Sequence, residues 1–220
     1  TRDVKEFKAK GSSGAFADFT TSKGEVLLMQ TAISLVSVDQ ARLNLETELD
    51  PFNWNFDAVK NNAKNVWNQL LSKIKVEGSS EENKKKFYTN LYRSYVARTT
   101  WSDVNGKYVD VNEVVRQVDP KRPVYGSDAL WNTFWNLNQL WALVNPDLTS
   151  NWVHSLLEIY KTGGWLPKGP AGIEYSGIME ASHEIALIVG AYQKGIRDFD
   201  TDLALKALVH QQTTPGVKTP

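Results

Sequence analysis

The 220-residue sequence predicts a mainly helical α+β chain in which strands come first and helices follow. Three observations predict it. Residues 25–37 (EVLLMQTAISLVS) alternate, with Leu27, Met29, Ile33 and Leu35 on one side, the pattern of a half-buried strand. From Phe56 onward the apolar residues recur at steps of three and four, the period of an amphipathic helix. The period changes once, after Ser37, so no alternating βαβ units and no parallel sheet are expected.

Taken in order, Gly11, Gly14 and Gly24 punctuate the first segment, and Ala15 to Thr20 is expected as a second short strand. Two strands do not make a stable sheet alone, so the rest of that sheet is expected from sequence upstream. Phe56, Val59, Ala63, Val66, Trp67, Leu70, Leu71 and Ile74 give one continuous helix face over 57–75, with Asp57 as N-cap. Ser79 followed by Glu82 fits a capping box for a helix carrying Phe87, Leu91, Tyr95 and Val96, with Lys84, Lys85 and Lys86 on its solvated side. A helix over 128–144 holds Leu130, Trp131, Phe134, Leu137, Leu140, Trp141 and Val144 and stops at Asn145-Pro146. Residues 150–161 form the next, before Gly163-Gly164; 179–194 follows, ended by Gly195, and 201–211 is capped by Asp200. The long connections 98–126 and 163–177 leave room for a functional rim.

Composition excludes several classes. Lys plus Arg and Asp plus Glu are both 25, so no net field steers the chain to nucleic acid or an anionic membrane, and a neutral partner fits better. Hydrophobic residues at 41% and eight Trp indicate an ordered globular chain. There is no Cys, which removes disulfides, thiolate metal sites and a cysteine nucleophile. The apolar run Ile185 to Tyr192 is far short of the roughly 20 residues that span a bilayer. The first residue is Thr1 and no apolar signal core follows, so the N-terminus is expected to be processed or cut.

Serine-hydrolase elbows, P-loops and dinucleotide fingerprints are missing from the sequence. Glu180, His183 and Glu184, at i, i+3 and i+4, could share a helix face toward a divalent metal; a hydrogen-bonded structural role is the simpler reading of a single E-x-x-H. The run from Gly163 to Tyr175 combines backbone-bending Gly and Pro with Trp165, Tyr175 and Glu174. Aromatic faces pack on the C–H face of a pyranose while a carboxylate accepts from its hydroxyls. The same run also reads as a rigid connector whose Trp165 plugs the core. Trp131 and Trp135, four apart, have core-like spacing, whereas the free N–H groups of a helix starting at Ser127-Asp128 could meet a ligand.

The run from Ser34 to Glu46 (SLVSVDQARLNLE) resembles a signature of glycoside hydrolase family 92 α-mannosidases, at the passage from their β-sandwich into linker helices. Four more stretches follow in the family's order: FYTNLYRS at 87–94, LWNTF at 130–134, GGWLP at 163–167 and AYQKGI at 191–196. The resemblance implies the end of a β-sandwich (1–37), linker helices (38–78) and the first part of an (α/α)6 toroid (79–220). It also implies calcium-dependent, inverting exo-hydrolysis of terminal α-mannosides, of α-1,2 linkage, by a secreted, periplasmic or cell-surface enzyme. Trp131, Asn132, Glu174 and Trp165 are the expected substrate-binding residues, with a mannose-containing glycan and the remainder of the polypeptide as partners.

Inverting hydrolysis needs an acid and a base roughly 6.5–9.5 Å apart. The family's carboxylate motifs, E-G-N-x-W and D-D-x-G-x-x-S-x-W, do not occur in these residues, so the catalytic residues and the completion of the calcium site are expected beyond Pro220. Two departures stand out: Asn132 replaces the acid and Trp135 the Arg of the family's L-W-D-T-F/Y-R, and Gly172-Ile173-Glu174 replaces G-N-E. The rival class is a non-catalytic, Trp-rich helical glycan-binding protein, which needs stacking rings but no acid pair.

Overall fold

The computed structural model describes residues 18–78, 80–96, 98–126, 130–170, 172–176 and 182–216. The strands expected before residue 18 lie outside them. Residues 18–37 contain no strand, contrary to the period-two reading; their one regular feature is a turn at Gly24, closed by Glu25 N–H donating to the Ser22 carbonyl at 3.1 Å. A strand exists only through a ladder with a neighbour, and no described segment supplies one. Met29 and Ile33 are accordingly 83% and 87% exposed. The segment is anchored near its end, where the Ser34 hydroxyl donates to Asp103 at 2.8 Å.

Helix α1 (Val38–Glu48) is capped by Ser37, whose side chain accepts from Gln40 N–H. Helix α2 spans Phe56–Leu71, shorter than expected, and its N-cap is Asn55, which accepts from Ala58 N–H. Asp57 instead lies in the first turn, where its charge complements the helix dipole. Helix α3 (Glu81–Ser94) begins one residue later than the capping-box reading, on Ser80 accepting from Asn83 N–H. Lys84 and Lys86 pair with Glu81 and Glu82 along its solvated side.

The connection 98–126, expected to be loop, contains four short strands. β1 (Thr99–Thr100) pairs antiparallel with β4 (Tyr125–Gly126), and β2 (Lys107–Val109) with β3 (Val115–Gln117). Their runs are two or three residues long, too short for periodicity to register. The β2–β3 turn is organised by Asp110, whose buried carboxylate accepts from Asn112 N–H at 2.8 Å, Val114 N–H at 2.9 Å and Arg116 Nε at 2.8 Å. Burial alone would raise the pKa of Asp110, but Arg116 and the two N–H groups outweigh it and hold the group below its usual range. No parallel pairing occurs among the described residues.

The single helix expected over 128–144 is two: α4 (Leu130–Thr133) and α5 (Leu137–Val144), broken at Phe134-Trp135-Asn136. Asn145-Pro146 ends α5 as expected, and Pro146 opens α6 (Pro146–Gly163), where its missing N–H costs nothing. Gly164, at φ +83°, ends α6 in the left-handed conformation. α7 (His183–Gln193) ends at Gly195, and α8 (Thr201–Thr213) is capped by Asp200 accepting from Leu203 N–H.

α6 is the central element, packed by α5, α7 and α8. Its Trp152, Val153, Leu156 and Leu157 form one core with Trp141, Leu166, Leu187, Ile188 and Ala207. Each Val, Leu or Ile side chain among them contributes about 1.5–3 kcal/mol on burial. A second, smaller core of Tyr108, Val124 and Ile173 lies between the strands and the 172–176 segment, with Trp101 against it.

Candidate functional site

The strands and the Gly/Pro-rich run meet through backbone contact. At Gly126 a Cβ would lie 2.3 Å from the Gly172 carbonyl oxygen, and at Gly172, φ +68°, a Cβ would lie 2.5 Å from the Trp101 ring. Only glycine fits both positions. This approach brings the start of α4 and the 163–176 segment together, and Leu130 and Pro170 line one cavity with Arg98, Trp152 and Leu187. That cavity holds about 20 Å³, room for a water and not for a sugar ring. None of Trp131, Asn132, Glu174 and Trp165 lines it.

Trp131 is 49% exposed on α4, and Asn132 and Glu174 are exposed. Among the described residues, no hydrogen bond, ion pair or ring contact links these three to one another. Trp165 is engaged differently. Its ring packs on His210 with centroids 4.4 Å apart, and a Cβ on Gly216 would lie 2.2 Å from it. The Tyr175 hydroxyl accepts from Trp165 N–H at 3.1 Å and donates to the Trp165 carbonyl at 2.8 Å, pinning both ends of the loop. Trp165 is half-buried and belongs to neither hydrophobic core, so these contacts fix the loop without plugging the core.

The E-x-x-H reading divides. Glu180 lies outside the described residues. His183 stacks on Phe134 at 4.1 Å, whereas the neighbouring Glu184 is fully buried. Burial pushes Glu184 up to about 7, against the weaker opposing influence of Gln211, Ser182 and Lys168. Neither of its oxygens has a well-formed hydrogen bond, although Gln211 and Ser182 stand close by. Calcium takes six to eight oxygen ligands. Among the described residues no three His, Cys, Asp or Glu side chains stand together as a metal site.

Arg98 is the residue that sequence reasoning missed. It is buried at φ +66°, its Nη2 donates to Asn138 at 2.8 Å and Thr133 at 3.2 Å, and its guanidinium lies 3.8 Å from the Trp152 ring centroid. A buried guanidinium requires acceptors. Arg98 draws one from each side of the α4–α5 break and so holds the two short helices at their angle. A cation in a stretch expected to be polar loop carries no local signal of this role.

The described residues are thus mainly helical, with four short strands. The catalytic-domain profile of glycosyl hydrolase family 92 matches residues 40–219, and the chain belongs to that family. A family 92 inverting mannosidase from Bacteroides thetaiotaomicron superposes with a TM-score of 0.72 at 25% identity, covering 80% of this chain and 24% of that one. A family 92 α-mannosidase of the same organism, solved in complex with mannoimidazole, gives 0.75 at 20% identity over 84% of this chain and 24% of its own. An uncharacterized secreted glycosidase of Arthroderma benhamiae is 27% identical over 183 residues, 82% of this chain and 19% of the relative. The chain thus spans about a quarter or less of the length of these relatives. Among the described residues, no helix is long and apolar enough to cross a membrane.

Proposed function

We propose that the chain is part of a secreted, periplasmic or cell-surface exo-α-mannosidase that inverts configuration and removes terminal, α-1,2-linked mannose from glycans. The observation that carries this reading is the family 92 catalytic-domain match over residues 40–219. In it, Trp131 stacks on the sugar, Asn132 and Glu174 bind hydroxyls, and Trp165 shapes the loop that presents Glu174. The exposure of Trp131, Asn132 and Glu174 supports the first three roles, and the Tyr175 hydrogen bonds to the Trp165 backbone support the last. The general acid and base come from other residues of the polypeptide, because neither carboxylate motif occurs in these 220 residues. Calcium dependence is part of the proposal, with ligands supplied from outside the described residues.

Acid–base assistance alone is worth about 10²–10⁴ in rate. The 220-residue chain is therefore expected to turn over no mannoside, while the complete encoded polypeptide releases mannose first as the β-anomer and loses activity with a chelator. Proton NMR of freshly released sugar reads all three points. Turnover by the short chain would refute the division of labour, early α-anomer the inverting assignment, and chelator resistance the calcium requirement. Specific mannobiose binding without turnover by the complete polypeptide would instead favour the glycan-binding class.

A further inference from the structure

The run from Gly163 to Tyr175 carries Glu174 near its far end and is gripped from α8 near its start. Gln211 of α8 is fully buried, and its amide meets the backbone of Leu166, which is also fully buried. Gln211 Oε1 accepts from Leu166 N–H and Nε2 donates to the Leu166 carbonyl, both at 3.3 Å. A primary amide offers the same donor and acceptor as a peptide group, so the side chain supplies from a helix what one rung of a β-ladder would supply. Buried N–H and C=O groups need such partners. His210, the neighbour of Gln211, adds the ring contact on Trp165.

The grip is passed on toward Glu174. Trp165, next to Leu166, is held at its own N–H and carbonyl by the Tyr175 hydroxyl, at 3.1 Å and 2.8 Å. Tyr175 directly follows Glu174, and Ile173, which precedes it, is 3% exposed in the smaller core. Glu174 therefore stands between two anchors. Ile173 ties it to the strands, and Tyr175 ties it through Trp165 and Leu166 to Gln211. The Glu174 side chain is exposed, so its place is set by these backbone anchors.

We propose that Gln211 is a positioning residue: by clamping the Leu166 backbone it sets, through Trp165 and Tyr175, where Glu174 stands against the sugar. This rests on the reading of Glu174 as a sugar-binding residue. The test is a double-mutant cycle on the complete polypeptide with mannobiose. Gln211→Met keeps the side chain's bulk and loses both hydrogen bonds; Tyr175→Phe loses only the hydroxyl. Each is expected to lower kcat/KM by about tenfold to a hundredfold, the effect of misplacing a binding group by roughly an ångström. Each is then combined with Glu174→Ala. With Glu174 gone, the same substitutions should cost less than about twofold, because the group they position is no longer there. The same fold-loss in both backgrounds, which a general loosening of the fold produces, overturns the proposal, as does no loss in the parent. Glu174→Ala without effect on its own refutes the sugar-binding reading, and the proposal with it. If the unaltered polypeptide cleaves no mannobiose, the hydrolase reading fails and the cycle is run on the Kd for mannobiose, decided by the same outcomes; absence of binding overturns both. Hydrogen exchange of the unaltered polypeptide reads the clamp without any variant. The Trp165 and Leu166 amides should exchange as slowly as those of α6, and exchange as fast as in an exposed loop overturns the proposal.

Discussion

Replacing Glu184 by Gln is expected to stabilise the protein above neutral pH and to flatten its pH dependence. The carboxyl is 0% exposed on α7, and burial pushes its pKa from 4.5 to about 7, only partly opposed by Gln211, Ser182 and Lys168. Between those two values the folded chain retains the proton and the unfolded chain has lost it, so stability falls as pH rises and levels off above about 7. At about 1.36 kcal/mol per pH unit the penalty reaches roughly 3 kcal/mol. For a domain of this size that corresponds to roughly 6–12 °C in Tm. Glutamine preserves the shape of the neutral acid and does not titrate. Thermal melts of both proteins by circular dichroism, from about pH 5 to about pH 8, should start close together and diverge as pH rises, with Glu184→Gln the more stable. The two proteins differ only at position 184, so the difference between their curves reads that group. Parallel curves would refute the reasoning, since they would mean that the folded carboxyl ionises as easily as the unfolded one.

Gly172→Ala should destabilise the protein by about 2–4 kcal/mol, because it combines a left-handed backbone at φ +68° with a Cβ 2.5 Å from the Trp101 ring. Urea unfolding measures this, and an unchanged midpoint would show that the Trp101 wedge yields freely. Asp110→Ala removes the acceptor for two N–H groups and for Arg116, at a cost of about 2–4 kcal/mol at neutral pH. Since the folded pKa of Asp110 is depressed, its contribution is present above the unfolded value near 3.9 and is lost as pH falls through the folded one. The variant and the parent should therefore differ less in strong acid than at pH 7.

Helix existence was legible wherever a long apolar period ran without competition. The faces of α2 and α3, the Asp200 cap and the stops at Pro146 and Gly195 all follow from residues within one or two turns of each other. Cap positions moved by one or two residues, to Asn55 and Ser80, since several polar side chains near a helix start compete for the same N–H groups. The alternation over 25–37 misled, because a period of two describes which side a residue would face and supplies no partner strand.

Of the candidate site, the sequence by itself determined the family motifs and the residue types available to hold a sugar, since those depend on side-chain chemistry alone. It also determined that most of the chain after Phe56 would be helical, since apolar spacing is local. The tertiary structure decided that Trp165 packs on His210, that Arg98 bridges the break between α4 and α5, and that Glu184 is fully buried. It also turned Trp135 outward from a spacing that read as core. Each of these depends on contacts between residues remote in sequence, and burial, ring stacking and a shifted pKa arise only when such residues are brought within a few ångströms of each other.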